Sequence, residues 1–376
     1  MEIQWSEYEL GALLSYEQPT PYIVSSTDYN DKYKTPVLTA GKSFILGYTN
    51  ETLGVYTALP VIIFDDFTTA SQYVNFAFKV KSSAMKILTP NTNLVLPKFI
   101  YYRMQIIQFD HSTHKRYWIQ EYSKIKVSIP PIPVQEQIVA RIEELFSELD
   151  NGVETLRKTK QQLAVYRQAV LKDAFSHITE KKTIREMSSV VTSGSRGWAQ
   201  YYSDHGAKFV RIGNLTRDRI RIDLSDIQFV DLPDGAEGKR TQLQPNDVLV
   251  SITADLGSIG LVHDDIGEAY VNQHIAMIRF LNPVQGEFMA WYLRSDYGQK
   301  DLLKNKRGGG KLGLGLDDIR DSRVPVISDA EAIRIIGNIE ARLSVCGSIE
   351  KTVDTALQQA EAMRQSILKQ AFEGRL

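Results

Sequence analysis

A single cysteine, Cys346, stands in the 376 residues. It excludes an internal disulfide and leaves no cysteine-built zinc site. No apolar run approaches the roughly 18–20 residues that span a bilayer. The first residues, Met1-Glu2-Ile3-Gln4-Trp5-Ser6-Glu7, carry acid where a secretory leader carries base and an apolar stretch, so the cytoplasm is the expected location. Nucleotide signatures are missing as well. Gly41-Lys42-Ser43 resembles the end of a phosphate-binding loop, but the glycine such a loop needs five residues earlier is Pro36. No Gly-x-Gly-x-x-Gly stretch follows a strand and opens a helix. The glycine-rich run from Gly308 to Gly315 precedes no clear helix and lies among bases, which suits a loop that meets backbone phosphates. The histidines, His111, His114, His177, His205, His263 and His274, show no spacing with acids that builds a metal site. Asp65-Asp66 and Asp264-Asp265 have no accompanying base and read as turn residues. No catalytic constellation emerges, and no metal or cofactor is expected on the chain itself.

Net charge is −1, yet its distribution is uneven. Residues 136–154 hold six acids against Arg141 alone, whereas 181–221 hold nine bases and three acids. Residues 98–126 hold six bases and two acids, and 304–311 hold Lys304, Lys306, Arg307 and Lys311 with no acid.

The chain also repeats itself at a distance of 197 residues. Gln161-Gln162, Arg167-Gln168, Leu171-Lys172 and Ala174-Phe175 recur as Gln358-Gln359, Arg364-Gln365, Leu368-Lys369 and Ala371-Phe372. Upstream, in the same register, Ile138, Ile142, Glu143 and Thr155 match Ile335, Ile339, Glu340 and Thr352. Both stretches carry an apolar residue every seventh position: Ile142, Leu149, Leu156, Leu163 and Val170, then Ile339, Cys346, Val353, Ala360 and Ile367. Such heptads predict two long helices whose stripes bury each other as a coiled coil. Periodicity alone leaves parallel and antiparallel packing open. The globule of about 145 residues between the helices is far longer than an ordinary helix–helix connection. Like-phase repeats packing reciprocally favour the antiparallel form, with the globules at opposite ends and related by a pseudo-twofold.

The expected organisation is a first globule over 1–128, a helix over 129–178, a second globule over 179–324 and a second helix over 325–376. The fold class is α+β, each globule being mostly β. Strands are predicted at Val61–Phe64, Tyr73–Val80, Phe209–Ile212, Asp247–Ile252 and Ile275–Phe280, and short helices at Pro97–Gln108 and Phe288–Tyr297. Bases and aromatics interleave in a way that suits nucleic acid. The first globule offers Lys42, Tyr48 and Asn50, then His111, His114, Lys115, Arg116 and Tyr117. The second offers Arg196, Trp198, Tyr201, Arg211, Asn214, Lys239, Arg240, Asn272, Gln273, Lys306, Arg307 and Lys311. Arg and Lys attract phosphates and contact guanine, and Asn and Gln read adenine bidentately. The bland alternative makes Trp118, Trp198 and Tyr201 core aromatics and the charges a solvated face.

Ile129-Pro130-Pro131-Ile132-Pro133-Val134-Gln135-Glu136-Gln137, both Ala-Phe endings, and the closing Ala371-Phe372-Glu373-Gly374-Arg375-Leu376 resemble the specificity subunit of type I restriction–modification systems. The likeness covers the whole layout, although the second helix has only Val324-Pro325-Val326 as its lead-in. The resemblance implies a non-catalytic subunit that binds double-stranded DNA. It implies two DNA methyltransferase (modification) subunits held along the helices and a restriction motor–nuclease subunit as a further partner. Methyl donor and ATP belong to those partners. Each globule is then a target-recognition domain for one half of an interrupted site, the helices setting the gap, and the acidic stretch 136–154 faces partner subunits. A coiled-coil scaffold with two protein-binding heads and a stand-alone DNA-modifying enzyme are the alternatives.

Overall fold

In the computed structural model residues 5–376 are described, apart from 42, 113–114, 195, 218, 234–238, 305, 307–312 and the side chain of Lys239. The chain divides into two compact units, residues 1–156 with 354–376, and residues 157–353.

The first unit opens with β1 (Ser6–Glu9), α1 (Leu10–Leu13) and β2 (Leu14–Glu17). There follow β3 (Thr35–Leu38), β4 (Ile45–Thr49), β5 (Val61–Asp65), β6 (Ser71–Val74), β7 (Lys79–Val80), β8 (Met85–Pro90), α2 (Pro97–Met104) and β9 (Lys126–Ile129). β1 and β9 form an antiparallel ribbon, Ser6 opposite Ile129, that closes the neck of the domain. Beyond the ribbon lie a sheet in the order β2-β8-β5-β6 and another in the order β4-β3-β7. Val61 to Phe64 are wholly buried, as a continuous apolar run in an inner strand should be. The alternation over Tyr73–Val80 does not make one strand. β6 pairs with β5 and β7 with β3, and between them the chain changes sheet while buried Phe78 pairs with Tyr56.

The chain then enters α3 (Ile132–Phe175). The second domain follows with β10 (Lys181–Thr183), α4 (Ile184–Met187), β11 (Ser188–Ser193), β12 (Tyr202–Ser203), β13 (Ala207–Val210) and β14 (Gln228–Val230). It continues with β15 (Val248–Ser251), β16 (Ile259–Leu261), β17 (Ala269–Val271), β18 (Ile275–Phe280), α5 (Gly286–Arg294), α6 (Asp296–Leu302), α7 (Leu316–Arg320) and β19 (Arg323–Pro325), and α8 (Asp329–Phe372) ends the chain. The sheets run β11-β18-β15-β16 and β12-β14-β13-β17, with the ribbon β10-β19 at the neck. This is the first domain again with one strand added. β2, β8, β5 and β6 correspond to β11, β18, β15 and β16, and the parallel pair β3–β7 corresponds to β13–β17. The class is α+β, two mostly β domains with two long helices.

Both helices are 44 residues long and pack antiparallel within each unit. In the first unit Ile142 is buried against Leu368 and Ala371, Arg364 lies 4.7 Å from the Phe146 ring centre, and Arg364 pairs with Asp150. In the second, Arg167 meets Glu350 at 2.6 Å and Arg342 meets Asp173 at 3.1 Å. As numbers rise along one helix they fall along the other. The compact division cuts both helices near their middles, so each unit owns a domain and two half-helices, a partition that boundaries drawn at the helix ends do not anticipate.

The repeated motifs fasten helix to domain. Gln135 is wholly buried beneath the proline tract; it accepts from Leu96 N at 2.8 Å and donates to Leu94 O at 3.0 Å and Pro130 O at 2.8 Å. α8 lacks that glutamine and starts differently. Its first residue, Asp329, accepts from Asn282 at 2.7 Å and from buried Gln285 at 2.9 Å. The two Ala-Phe endings do one job twice: Phe175 packs on Phe288 of α5 at 5.5 Å, and Phe372 packs on Phe99 of α2 at 5.2 Å. Gly374, at φ +70°, terminates α8 in the left-handed conformation and lets Arg375 N return to Gln370 O at 2.9 Å.

The seam follows the heptads except at its ends. Ile142, Leu163, Val170, Ile339, Cys346, Val353 and Ala360 are buried, Leu149 and Leu156 half-buried. Ile367 is only half-buried, and Leu368 with Ala371 takes its place. A helix of 3.6 residues per turn drifts against a strict repeat of seven, so the inward face advances by one residue after Ala360. Leu368→Ala is therefore expected to cost about 2–5 kcal/mol of stability in chemical denaturation of the full chain, and Ile367→Ala distinctly less. The reverse order would refute the drift.

Candidate nucleic-acid interface

The parallel strand pair dictates where loops leave each domain. β13 and β17 run side by side, Val210 opposite Val271, so both finish on the same edge. β11 and β15 finish there too, Ser193 opposite Ala276 and Ser251 opposite Ile275. Backbone hydrogen bonds lace the emerging loops together: Gly194 N to Asn272 O at 3.3 Å, Asn272 N to Val210 O at 3.1 Å, Ile252 N to His274 O at 2.9 Å, and Leu314 N to Ile252 O at 3.0 Å. Gly194 admits no side chain, because a Cβ would stand 1.9 Å from Val271 O.

This edge gathers many of the predicted residues of the second domain. Arg196 is exposed on the loop after β11, Arg211 follows β13, and Asn272 and Gln273 follow β17. Arg240 reaches Thr192 near the end of β11 at 3.4 Å. Lys306 is exposed after α6, and Gly313 bridges to Thr253. Arg307, Lys311 and the Lys239 side chain lie outside the described residues. Arg211 and Asn272 line a recess of about 400 Å³ together with Gly213, Asp223, Ser225 and Asp226. In the loop after β15, hydrogen bonds from Arg217 and from the Ser258 hydroxyl hold the Asp255 carboxyl below the usual carboxylate range.

Three residues of this set serve the core instead. Trp198 is 5% exposed, stacked on Phe209 at 5.5 Å, and Tyr201 packs against the same cluster. Asn214 is buried with its amide fully engaged: Oδ1 accepts from Arg211 N at 2.8 Å, and Nδ2 donates to Asp223 O at 2.8 Å. It shapes the loop that carries Arg211 and has no free edge for a base.

The first domain repeats the construction. β3 and β7 are parallel, Leu38 opposite Val80, and Val24, Lys81, Asp66 and Tyr117 donate backbone N–H groups across the loops at that edge. At its centre sits a buried ion pair. Lys86 Nζ lies 3.1 Å from Asp66 Oδ2 and donates to Gln18 at 3.1 Å, while Asp66 Oδ1 accepts from Trp118 N at 2.8 Å. Both side chains are 1% exposed. Asp66 lies in the turn after β5 as expected, but it has an accompanying base, signalled by a lysine inside the apolar run Met85-Lys86-Ile87-Leu88. The pair clamps Tyr117 and Trp118 to the β5–β6 turn. There His111 bonds Thr69 at 2.9 Å, Arg116 lies 5.9 Å from the Phe67 ring centre, and Lys115 pairs with Glu121. Hydrogen bonds from the Ser112 backbone and hydroxyl hold the Asp110 carboxyl low. Tyr117, 1% exposed among Phe64, Phe109 and Tyr122, belongs to the core. Tyr48 and Asn50 sit at the other end of β3, Tyr48 opposite Pro36, and are not brought to this edge. Lys42 and His114 lie outside the described residues.

Among the described residues no group of acids, histidines and cysteine could hold a metal ion, and no helix is long and apolar enough to cross a membrane.

Residues 2–163 match the family model described as the type I restriction modification DNA specificity domain. The chain is 42% identical over 207 residues to the specificity subunit of the type I restriction enzyme EcoR124I/EcoR124II of Escherichia coli, a match covering 52% of this chain and 50% of that subunit. The EcoBI specificity subunit of Escherichia coli is 25% identical over 66% of this chain and 58% of its own length. The chain thus spans about half the length of the curated relatives it matches. Among solved structures, one described under complex assembly and conformational transition of the type I R-M system covers 100% of both chains with a TM-score of 0.76 at 15% identity. The HsdS subunit from Thermoanaerobacter tengcongensis covers 99% of this chain and 97% of its own with a TM-score of 0.54 at 14% identity. At these identities the two structures share the fold.

Lys86→Met strands the Asp66 carboxylate in the core and is expected to cost about 3–5 kcal/mol. Lys86→Met with Asp66→Asn removes both charges yet keeps the acceptor for Trp118 N, and should recover much of the loss in urea unfolding. Equal losses in the single and double variants would remove the clamp assigned to this pair.

Proposed function

We propose that the chain is a specificity subunit of the type I restriction–modification family and the DNA-reading component of such a complex. Each domain reads one half of an interrupted double-stranded site through the loops at its shared edge. The observation that carries this reading is one reader built twice. Two domains of the same strand order present unlike loops, each carrying exposed bases, at the same edge, and a repeated helix serves both.

In this reading the paired helices set the number of unread base pairs and hold two DNA methyltransferase (modification) subunits, with a restriction motor–nuclease subunit as a further partner. Support comes from side chains the pairing leaves uncovered. Val165 is 71% and Tyr166 42% exposed on α3, and Val345 and Ile349 are 59% and 40% exposed on α8. In the stretch 136–154, Glu143, Glu144 and Asp150 are drawn into ion pairs with Lys98, Arg141 and Arg364, while Glu136 and Glu148 stay exposed to face a partner. The chain itself catalyses nothing in this account, and methyl donor and ATP are bound by the partners.

Sequencing of methylated bases in a host that carries the full chain with its modification subunits should return one bipartite, interrupted motif. A heptad inserted in both helices at their midpoints adds about 10 Å, roughly three base pairs of length. It should change the gap while both half-sequences persist; an unaltered gap would count against the ruler. Arg196→Ala with Arg211→Ala should weaken reading of one half, and Lys115→Ala with Arg116→Ala the other. Methyl transfer by the purified chain alone would overturn the proposal in favour of a stand-alone enzyme.

A further inference from the structure

Behind the loop after β17 a short hydrogen-bond chain runs inward from the reader edge. The Gln273 amide nitrogen lies 2.9 Å from His274 Nε2, and His274 Nδ1 lies 2.9 Å from Thr253 Oγ1. An amide nitrogen only donates, so His274 Nε2 accepts and the ring proton resides on Nδ1, donated to the Thr253 hydroxyl. The main chain that carries the ring is held, because His274 N donates to Asn272 Oδ1 at 3.1 Å and Ile252 N donates to His274 O at 2.9 Å. Thr253 is pinned in turn by its bridge to Gly313.

The consequence falls on Gln273. Among the described residues its contact with His274 is its one side-chain hydrogen bond, and Oε1 is not among the buried atoms left without a partner. With one N–H committed inward, Oε1 and the second N–H remain for a ligand. An acceptor beside a donor on one amide matches the N6 donor and N7 acceptor that adenine shows in the major groove. A freely turning glutamine could present its two ends either way round; this one is held by its neighbours. Its neighbour Asn272 lines the recess of about 400 Å³ together with Arg211, and Arg196 stands on the loop packed against Asn272.

We infer that Gln273 reads an adenine in the half-site of the second domain, its amide turned for that base by the His274–Thr253 chain. Gln273 is the specificity-determining residue, and His274 and Thr253 are positioning residues. This rests on the DNA-reading function proposed above.

The test maps methylated sites in a host bearing the full chain and its modification subunits, comparing wild type with four variants. Gln273→Glu removes the donor to N7, so adenine should lose roughly 10- to 100-fold of its preference at one position, the rest of the motif staying intact. His274→Phe and Thr253→Val should relax that same position, and Thr253→Ser, which keeps the hydroxyl, should retain it. An unchanged motif with Gln273→Glu, a preference there for a base other than adenine in wild type, or a uniform fall at every site overturns the inference. If His274→Phe erases the whole half-site by unfolding the loop, the Thr253 pair decides: like behaviour of Val and Ser overturns it, and contrast supports it. A wild-type host with no defined motif fails the specificity reading itself, an outcome distinct from a wild-type motif that the variants leave alone.

Discussion

An apolar stripe along a single helix has no stable place in water, and each 44-residue helix here carries one. The stripes are buried against each other, Ile142 against Leu368 in one unit and Val170 beside Ile339 within the core of the other. That mutual burial decides the rest. It fixes the antiparallel sense, since each unit receives the beginning of one helix and the end of the other. It also explains why the strongest likeness between the two helices lies toward their C-termini, where Phe175 and Phe372 each seat on the helix of a domain.

Much of this was legible in the sequence, because repeats of seven and runs such as Val61-Ile62-Ile63-Phe64 report burial directly. The approximate helix limits follow, as do the innermost strands such as Val61–Asp65 and Ile275–Phe280. What stayed hidden is the strand order that the two domains share. Their strands keep the same order and the same parallel pair while their residues differ, and sheet topology leaves no periodic trace. Individual site residues were harder still. Tyr117 and Trp198 sit among bases in sequence but inside the core in space, because flanking charge says nothing about the side of the sheet an aromatic occupies. Asn214 looked like a base reader and is a loop brace, its amide consumed by its own turn. Lys86 was missed because a lysine inside a strand is informative only once Asp66 is known to face it.

The readers are made by separating what holds from what varies. Backbone hydrogen bonds join the loops at each edge, so the loop paths are held without calling on the side chains that point outward. Where extra bracing is needed it is polar and buried, a lysine–aspartate pair in the first domain and, in the second, a serine whose hydroxyl accepts from Ser258 N at 2.8 Å. Buried polar braces are costly when incomplete and directional when complete. They therefore resist sliding of one loop past another, which a purely apolar loop base would allow. A surface of this kind tolerates exchange of its outward residues, since few of them carry the loop's own stability.

The seating of Phe372 on Phe99 has one more consequence. The last helix finishes on the domain with which the chain starts, just as the first helix finishes on the domain that follows it. In terms of neighbours, the segments form a cycle: domain, helix, domain, helix, and back to the first. Between the last helix and the first domain an aromatic contact stands where the other junctions have a peptide bond. Adjacency in the fold and adjacency along the chain are thus separate matters here, and side-chain packing supplies the one that covalent order does not.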